Sequence, residues 1–74
     1  MLEFTLNSRT LGQELTFTQP GQCYVWLQFG NGERQQICEG GRLSGATVMF
    51  TGGEDGFKRM CRKWYRSYMK AVAR

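Results

Sequence analysis

The spacing of apolar residues changes once along this 74-residue chain, and that change constrains the fold more than any other feature. In "LEFTLN" and "ELTFTQ", which begin at Leu2 and Glu14, apolar and polar residues alternate. Alternation with a period of two is typical of a β-strand that has one face toward solvent. From Phe57 onward the apolar residues recur at three- and four-residue intervals, as in an amphipathic helix. The sequence therefore predicts one α+β domain, β-rich over residues 1–51 and helical over residues 54–73.

Turn signals divide the β-rich part into four or five strands. The segment "SRTLG" is expected to connect the first two strands as a hairpin, and Pro20-Gly21 fits the central pair of a type II turn before a third strand, "CYVWLQF". Asn31-Gly32 favours a type I′ hairpin turn, which makes "ERQQIC" the return strand. The segment "ATVMFT" is predicted as a last, more buried strand. We expect an antiparallel sheet of hairpins or a meander, with the helix packed on one face.

The predicted helix has one continuous apolar side. When successive residues are placed about 100° apart, an arc of about 140° collects its apolar residues, namely Phe57, Met60, Cys61, Trp64, Tyr65, Tyr68, Ala71 and Val72. This arc is expected to face the sheet, with Trp64 at the centre of the core. Thr51 and Glu54 have the spacing of a capping box, and Asp55 is an alternative N-cap, so the helix should start between positions 52 and 56.

The same helix carries most of the positive charge. Residues 56–74 contain seven basic and no acidic side chains, whereas residues 1–55 contain three basic and six acidic ones, so the net charge of +4 divides into +7 and −3. The basic residues lie on the arc opposite the apolar one over about 24 Å, and they are Lys58, Arg59, Arg62, Lys63, Arg66, Lys70 and Arg74. Like charges four residues apart destabilise a helix, so partner binding is favoured over a role in solubility alone.

Two aromatic residues of the predicted third strand add a second candidate feature. Tyr24 and Trp26 alternate with Val25 and Leu27, which places them on the sheet face opposite the main core. They could stack on bases or anchor a protein interface, or they could form a minor core under the first hairpin. Together with the helix, the candidate partner-binding residues are Arg59, Arg62, Lys63, Arg66, Lys70, Arg74, Tyr24 and Trp26.

An anionic partner is expected, and two classes fit. Nucleic acid offers phosphates; the second class is an acidic or nucleic-acid-binding protein complex, contacted at an acidic surface or at a surface that normally holds nucleic acid. No RNP signature is present. In outline, an antiparallel sheet followed by one helix is similar to small DNA-binding domains of plant transcription factors and phage integrases, and equally to small phage-encoded inhibitors such as anti-CRISPR proteins. We therefore expect a nucleic-acid-binding module, with a phage-type inhibitor of a host complex as the alternative.

Composition argues against other classes of function. The chain has no histidine, and Cys23, Cys38 and Cys61 lack Cys-x-x-Cys spacing, so no metal, cofactor or small-molecule substrate is predicted. Only Glu54-Asp55 brings two carboxylates together in sequence, so no catalytic residue and no enzymatic activity are predicted. No apolar run approaches the roughly 18 to 20 residues of a membrane span, and the N-terminus lacks a signal-peptide layout, so a cytoplasmic location is expected. A homodimer is compatible with these features.

Overall fold

A computed structural model describes residues 1–21, 24–43 and 53–73, which form an antiparallel sheet and one C-terminal helix. The α+β class is confirmed. The four strands of the sheet are adjacent in chain order, and the elements are β1 (Leu2–Ser8), β2 (Gln13–Gln19), β3 (Trp26–Phe29), β4 (Arg34–Gln36), a 3₁₀ turn (Glu39–Gly41) and α1 (Glu54–Val72). The strand predicted from "ATVMFT" lies outside the described residues.

The period-two pattern of the first two strands sets the register of the sheet. Phe4 of β1 pairs with Phe17 of β2, and Phe17 pairs in turn with Leu27 of β3. Because side chains at paired positions share a face, these residues form one apolar inner face, on which Leu15, Phe17 and Leu27 are fully buried. The predicted hairpin at "SRTLG" is confirmed, and Gly12 closes it with a φ of 69°.

Two predicted turn types are wrong, although the hairpin between β3 and β4 forms. No described residue other than glycine has a positive φ, so Asn31 cannot take its part in a type I′ turn. Gly30 has a φ of 55° instead, and the Gly32 amide donates to the Phe29 carbonyl at 2.9 Å, so the turn begins one residue earlier. Glycine adopts positive φ without the steric cost that asparagine has. Gly21 likewise lacks the positive φ that a type II turn requires.

Trp64 joins the helix to the sheet and to the 3₁₀ turn at once. Its ring lies edge-on to Phe17 with the centroids 5.9 Å apart, and its indole nitrogen donates to the Cys38 carbonyl at 2.7 Å. Tyr68 stacks on Trp64 at 5.2 Å and lies 5.6 Å from the ring of Phe29. Helix residues Phe57 and Trp64 therefore belong to the same core cluster as the inner face of the sheet.

A polar contact fixes the helix against the end of β1. The Ser8 hydroxyl lies 2.5 Å from the Tyr65 hydroxyl and also accepts a hydrogen bond from the Leu11 amide at 3.1 Å. Ser8 is only 4% exposed, so these two partners satisfy a hydroxyl group that burial would otherwise leave unpaired. The first hairpin and the helix are thereby linked by a hydrogen bond as well as by apolar contacts.

The helix begins at Glu54, within the predicted range of 52–56, but its N-cap and the extent of its apolar side differ from the sequence prediction. Gly53 is the N-cap and provides no side-chain hydrogen bond, while Asp55 lies within the first turn, so the Asp55 cap is wrong. Thr51 of the predicted capping box lies outside the described residues. At the other end Val72 is 49% exposed, so the predicted apolar arc stops contributing to the core after Tyr68. Periodicity indicates which side of a helix faces the core, but not how far the core extends along it.

The 3₁₀ turn approaches the helix backbone closely at one glycine. Gly41 has a φ of 78°, and a Cβ atom at this position would lie 2.3 Å from the backbone nitrogen of Tyr68. Gly40 has a similar φ of 72°, but a Cβ atom there would meet nothing within 4 Å. The two glycines therefore share a backbone requirement and differ in the space around them.

We predict that Gly41→Ala destabilises the protein far more than Gly40→Ala. Both variants place a Cβ atom in the left-handed region, which costs about 1 to 2 kcal/mol. Only Gly41→Ala also pushes the turn off the helix, so its cost should exceed that of Gly40→Ala by about 2 kcal/mol or more. Urea unfolding of the two variants measures the difference, and equal losses would contradict the close approach.

We also predict that Trp64→Ala lowers the free energy of unfolding by about 3 to 5 kcal/mol, because it removes the largest side chain that bridges helix and sheet. Trp64→Phe keeps a ring but leaves the Cys38 carbonyl without its donor, so it should cost about 1 to 3 kcal/mol. Val72→Ala, an exposed position on the same helix, should change stability by less than about 0.5 kcal/mol. Thermal unfolding followed by circular dichroism is the measurement, and an unchanged midpoint for Trp64→Ala would refute this packing.

Candidate nucleic-acid interface

The exposed side of α1 carries a row of cations, which we call the basic face. Placed at 3.6 residues per turn, its members fall within an arc of about 100° over a length of about 17 Å. All of them are exposed, and they are Arg59, Arg62, Lys63, Arg66 and Lys70. The predicted sixth helix residue, Arg74, lies outside the described residues.

No carboxylate in the described ranges neutralises the basic face. Lys58 pairs with Glu54 at 3.3 Å, one turn earlier on the flank of α1. Because this carboxylate neutralises it, we do not count Lys58 as part of the basic face. Asp55 marks the N-terminal end of the same side but forms no ion pair with Arg59 within 4 Å. Like charges therefore stand one turn apart along the face, for example Arg66 and Lys70, and their repulsion opposes helix stability.

Arg62 differs from the rest of the basic face because it also packs against the sheet. Its guanidinium carbon lies 5.0 Å from the centroid of the Phe4 ring in β1, a cation–π distance. Phe4 is half-buried, so the Arg62 side chain covers the edge of the core as well as carrying charge. Substitution of Arg62 would change packing and charge together, whereas Arg59 and Arg66 are free of such contacts among the described residues.

Tyr24 and Trp26 lie on the outer face of the sheet. Their neighbours Val25 and Leu27 are fully buried on the inner face, while Tyr24 is 50% exposed and Trp26 is half-buried. Neither aromatic residue belongs to the core cluster between sheet and helix. The Arg34 guanidinium lies over the Trp26 ring at 5.5 Å. We call Tyr24, Trp26 and Arg34 the outer patch.

The candidate residues thus form two surfaces rather than one. Trp64 packs against Phe17 between them, because it lies on the side of α1 opposite the basic face and Phe17 lies on the inner face of the sheet. Apart from Arg62, which contacts Phe4, the basic face consequently lies on the side of α1 away from the sheet, and the outer patch lies on the sheet face away from the helix. A flat partner can contact either surface, but not both at once.

Sequence reasoning missed Arg34 as a member of the aromatic surface. The signal was present in the register: β3 and β4 pair Gln28 with Arg34 and Trp26 with Gln36. Arg34 is therefore the diagonal neighbour of Trp26 across the strand pair, a distance that a long side chain spans. The predicted hairpin gave the strand order, but an exact register was needed to bring these two side chains together.

The buried thiols are not placed for nucleophilic chemistry. Desolvation by burial raises the pKa of Cys61 from its usual 9.0 to about 12, although the neighbouring Arg62 charge acts in the opposite direction. Cys38 is buried as well, and both cysteines carry free thiols. Within the described ranges, no three acidic or cysteine side chains gather closely enough to hold a metal ion.

We predict that Cys61 resists alkylation in the folded protein. At about pH 8 its thiol stays protonated, and the thiolate is the reactive form, so iodoacetamide should modify Cys61 only after unfolding, as peptide mass mapping would detect.

The Cys61 thiol ionises near 9.0 in the unfolded chain and near 12 in the folded protein, so the free energy of unfolding should fall as the pH rises through that window. Cys61→Ala should reduce this loss of stability at high pH. Rapid alkylation of Cys61 in the folded wild type would contradict the burial of the thiol.

Searches of protein-family models, of curated proteins and of solved structures find no match to this chain. Within the described part of the chain, α1 is too polar to cross a membrane. A proposal for the function is therefore argued from the charge and geometry of the basic face and the outer patch.

Proposed function

We propose that this chain is a non-enzymatic binding module whose basic face docks on the phosphate backbone of nucleic acid, either free or within a nucleoprotein complex. The observation that carries the proposal is the basic face itself, which presents five exposed cations without a carboxylate partner in the described residues. Bound phosphates would relieve the repulsion between Arg59 and Lys63 and between Arg66 and Lys70. This repulsion raises the free energy of the unbound protein, so its relief would favour binding.

The size of the basic face suits a phosphate backbone. Duplex DNA carries one negative charge per about 1.7 Å of axis, so a row of cations about 17 Å long lies beside about ten phosphate charges. Each cation that neutralises a phosphate releases a counterion, and this release makes affinity fall with salt. Because the contacts of Trp64 hold α1 in place, the helix backbone that carries the cations does not have to fold on binding, which lowers the entropic cost of binding.

The basic face favours backbone contact over base reading. Its members are arginine and lysine, which neutralise phosphates whatever the sequence, so we expect this surface to supply affinity with little sequence preference. Asp55 at the N-terminal end of the face would repel phosphates, which directs the contact toward Arg59 and the residues that follow it. The free thiols of Cys38 and Cys61 suit a reducing compartment, and we place the protein in the cytoplasm on that basis.

A pair of charge-matched variants tests this function. Arg59→Glu with Arg66→Glu reverses two members of the basic face, and Arg9→Glu with Arg42→Glu reverses two exposed arginines elsewhere. Each reversal removes two charges, so both double variants fall from a net charge of +4 to zero. We predict at least tenfold weaker binding for the first variant and little change for the second, measured by gel shift on a short oligonucleotide.

Salt dependence provides the second readout. Four phosphate contacts would weaken wild-type binding about a hundredfold between about 50 and 200 mM salt, and loss of two of them should reduce the log–log slope by about two. If both double variants lose binding equally, net charge explains the affinity and the basic face is not the site. If wild type does not bind at 50 mM salt, the nucleic-acid proposal is wrong, and docking on a protein, as a phage-type inhibitor would do, becomes the better explanation.

A further inference from the structure

The outer patch combines two planar groups with unused hydrogen-bonding capacity. The Arg34 guanidinium carbon lies over the Trp26 ring, 5.5 Å from its centroid, and Arg34 is exposed to solvent. Tyr24, two residues before Trp26, adds a phenol ring that is half exposed. Aromatic rings and arginine planes are the groups on which proteins stack unpaired bases.

Polar groups beside these rings lack hydrogen-bond partners within the described residues. The hydroxyl oxygen of Thr18, which pairs with Trp26 across β2 and β3, is buried without a hydrogen-bond partner among the described residues. Gln36, opposite Trp26 on β4, makes no side-chain hydrogen bond in that part of the chain, whereas Gln28 donates its amide to the Gly32 carbonyl at 2.9 Å. A carboxamide beside an aromatic ring can both donate to and accept from the edge of a stacked base.

We propose that the outer patch stacks on unpaired bases and that this protein therefore binds single-stranded nucleic acid more tightly than duplex. The inference rests on the proposed function of the basic face and names the class of its ligand. Bases in a duplex are stacked on one another and paired, so they offer no free ring face to Trp26, Tyr24 or Arg34. An unpaired strand offers a ring at every nucleotide.

The arrangement of charge and of the two surfaces also favours a flexible strand. Glu3 and Glu14 lie on the outer face of the sheet, where they would repel the closely spaced phosphates of a duplex. The basic face and the outer patch point in opposite directions on a molecule that is 22 Å across its shorter dimensions. Duplex DNA is stiff over about 150 base pairs and cannot follow such a path, whereas a single strand can pass from one surface to the other.

The test compares an oligothymidine of about 15 nucleotides with a duplex of the same length, by fluorescence anisotropy and by tryptophan emission. Tyr24→Ala with Trp26→Ala should weaken oligothymidine binding about tenfold to a hundredfold, because stacking on each ring is lost, and leave duplex binding within about twofold. Thr5→Ala with Thr16→Ala, on the outer face but outside the patch, should change neither affinity. Oligothymidine should also quench wild-type emission through Trp26, since Trp64 is only 4% exposed.

Two further variants keep the test decisive if the double alanine variant does not fold. Tyr24→Ala alone alters a half-exposed residue, and Trp26→Phe keeps a ring at the second position while removing the emission change. Oligothymidine binding that is unchanged in Tyr24→Ala and in the double variant would overturn the stacking proposal. The basic face would still stand if Arg59→Glu with Arg66→Glu weakens binding of both ligands. Wild type that binds neither ligand would overturn both proposals.

Discussion

The position of Trp64 is the constraint on which the arrangement of this protein depends. Its ring meets Phe17 at the centre of the sheet, and its indole nitrogen satisfies the Cys38 carbonyl beside the 3₁₀ turn. One side chain thereby fixes three separate parts of the chain relative to one another. The 3₁₀ turn can occupy its place only because Gly41 has no side chain where it meets the helix backbone at Tyr68. A chain this small buries only about 60% of its unfolded surface, so few other contacts are available to fix these three parts of the chain relative to one another.

That anchor determines how the charge of the helix is presented. An isolated helix with cations at one-turn spacing would be weakened by repulsion and would fray. Here the buried residues Phe57, Cys61 and Trp64 hold the opposite side of α1 in the core, so the repulsion is tolerated and the cations remain in one row. Core packing therefore keeps α1 helical with its cations close together, although repulsion among them would destabilise the isolated helix.

The sheet separates two kinds of chemistry that sequence analysis had grouped together. One side of the molecule carries a row of cations, and the other carries aromatic rings beside carboxamides and a single guanidinium. Charge gives affinity at long range but little selectivity, whereas stacking requires a ligand with free ring faces. On the proposals made above, the basic face attracts the polyanion and the outer patch selects unpaired nucleotides.

The sequence by itself determined the α+β class, the first hairpin and the apolar and basic sides of the helix, because these follow from residue spacing within one element. It did not determine the turn after β3, where Gly30 takes the positive φ that Asn31 was expected to share. Only the tertiary structure brought Arg34 over Trp26 and Arg62 over Phe4, since both contacts join residues on different elements. Periodicity fixes the direction in which a side chain points, but the register between strands and the position of the helix on the sheet decide what it meets.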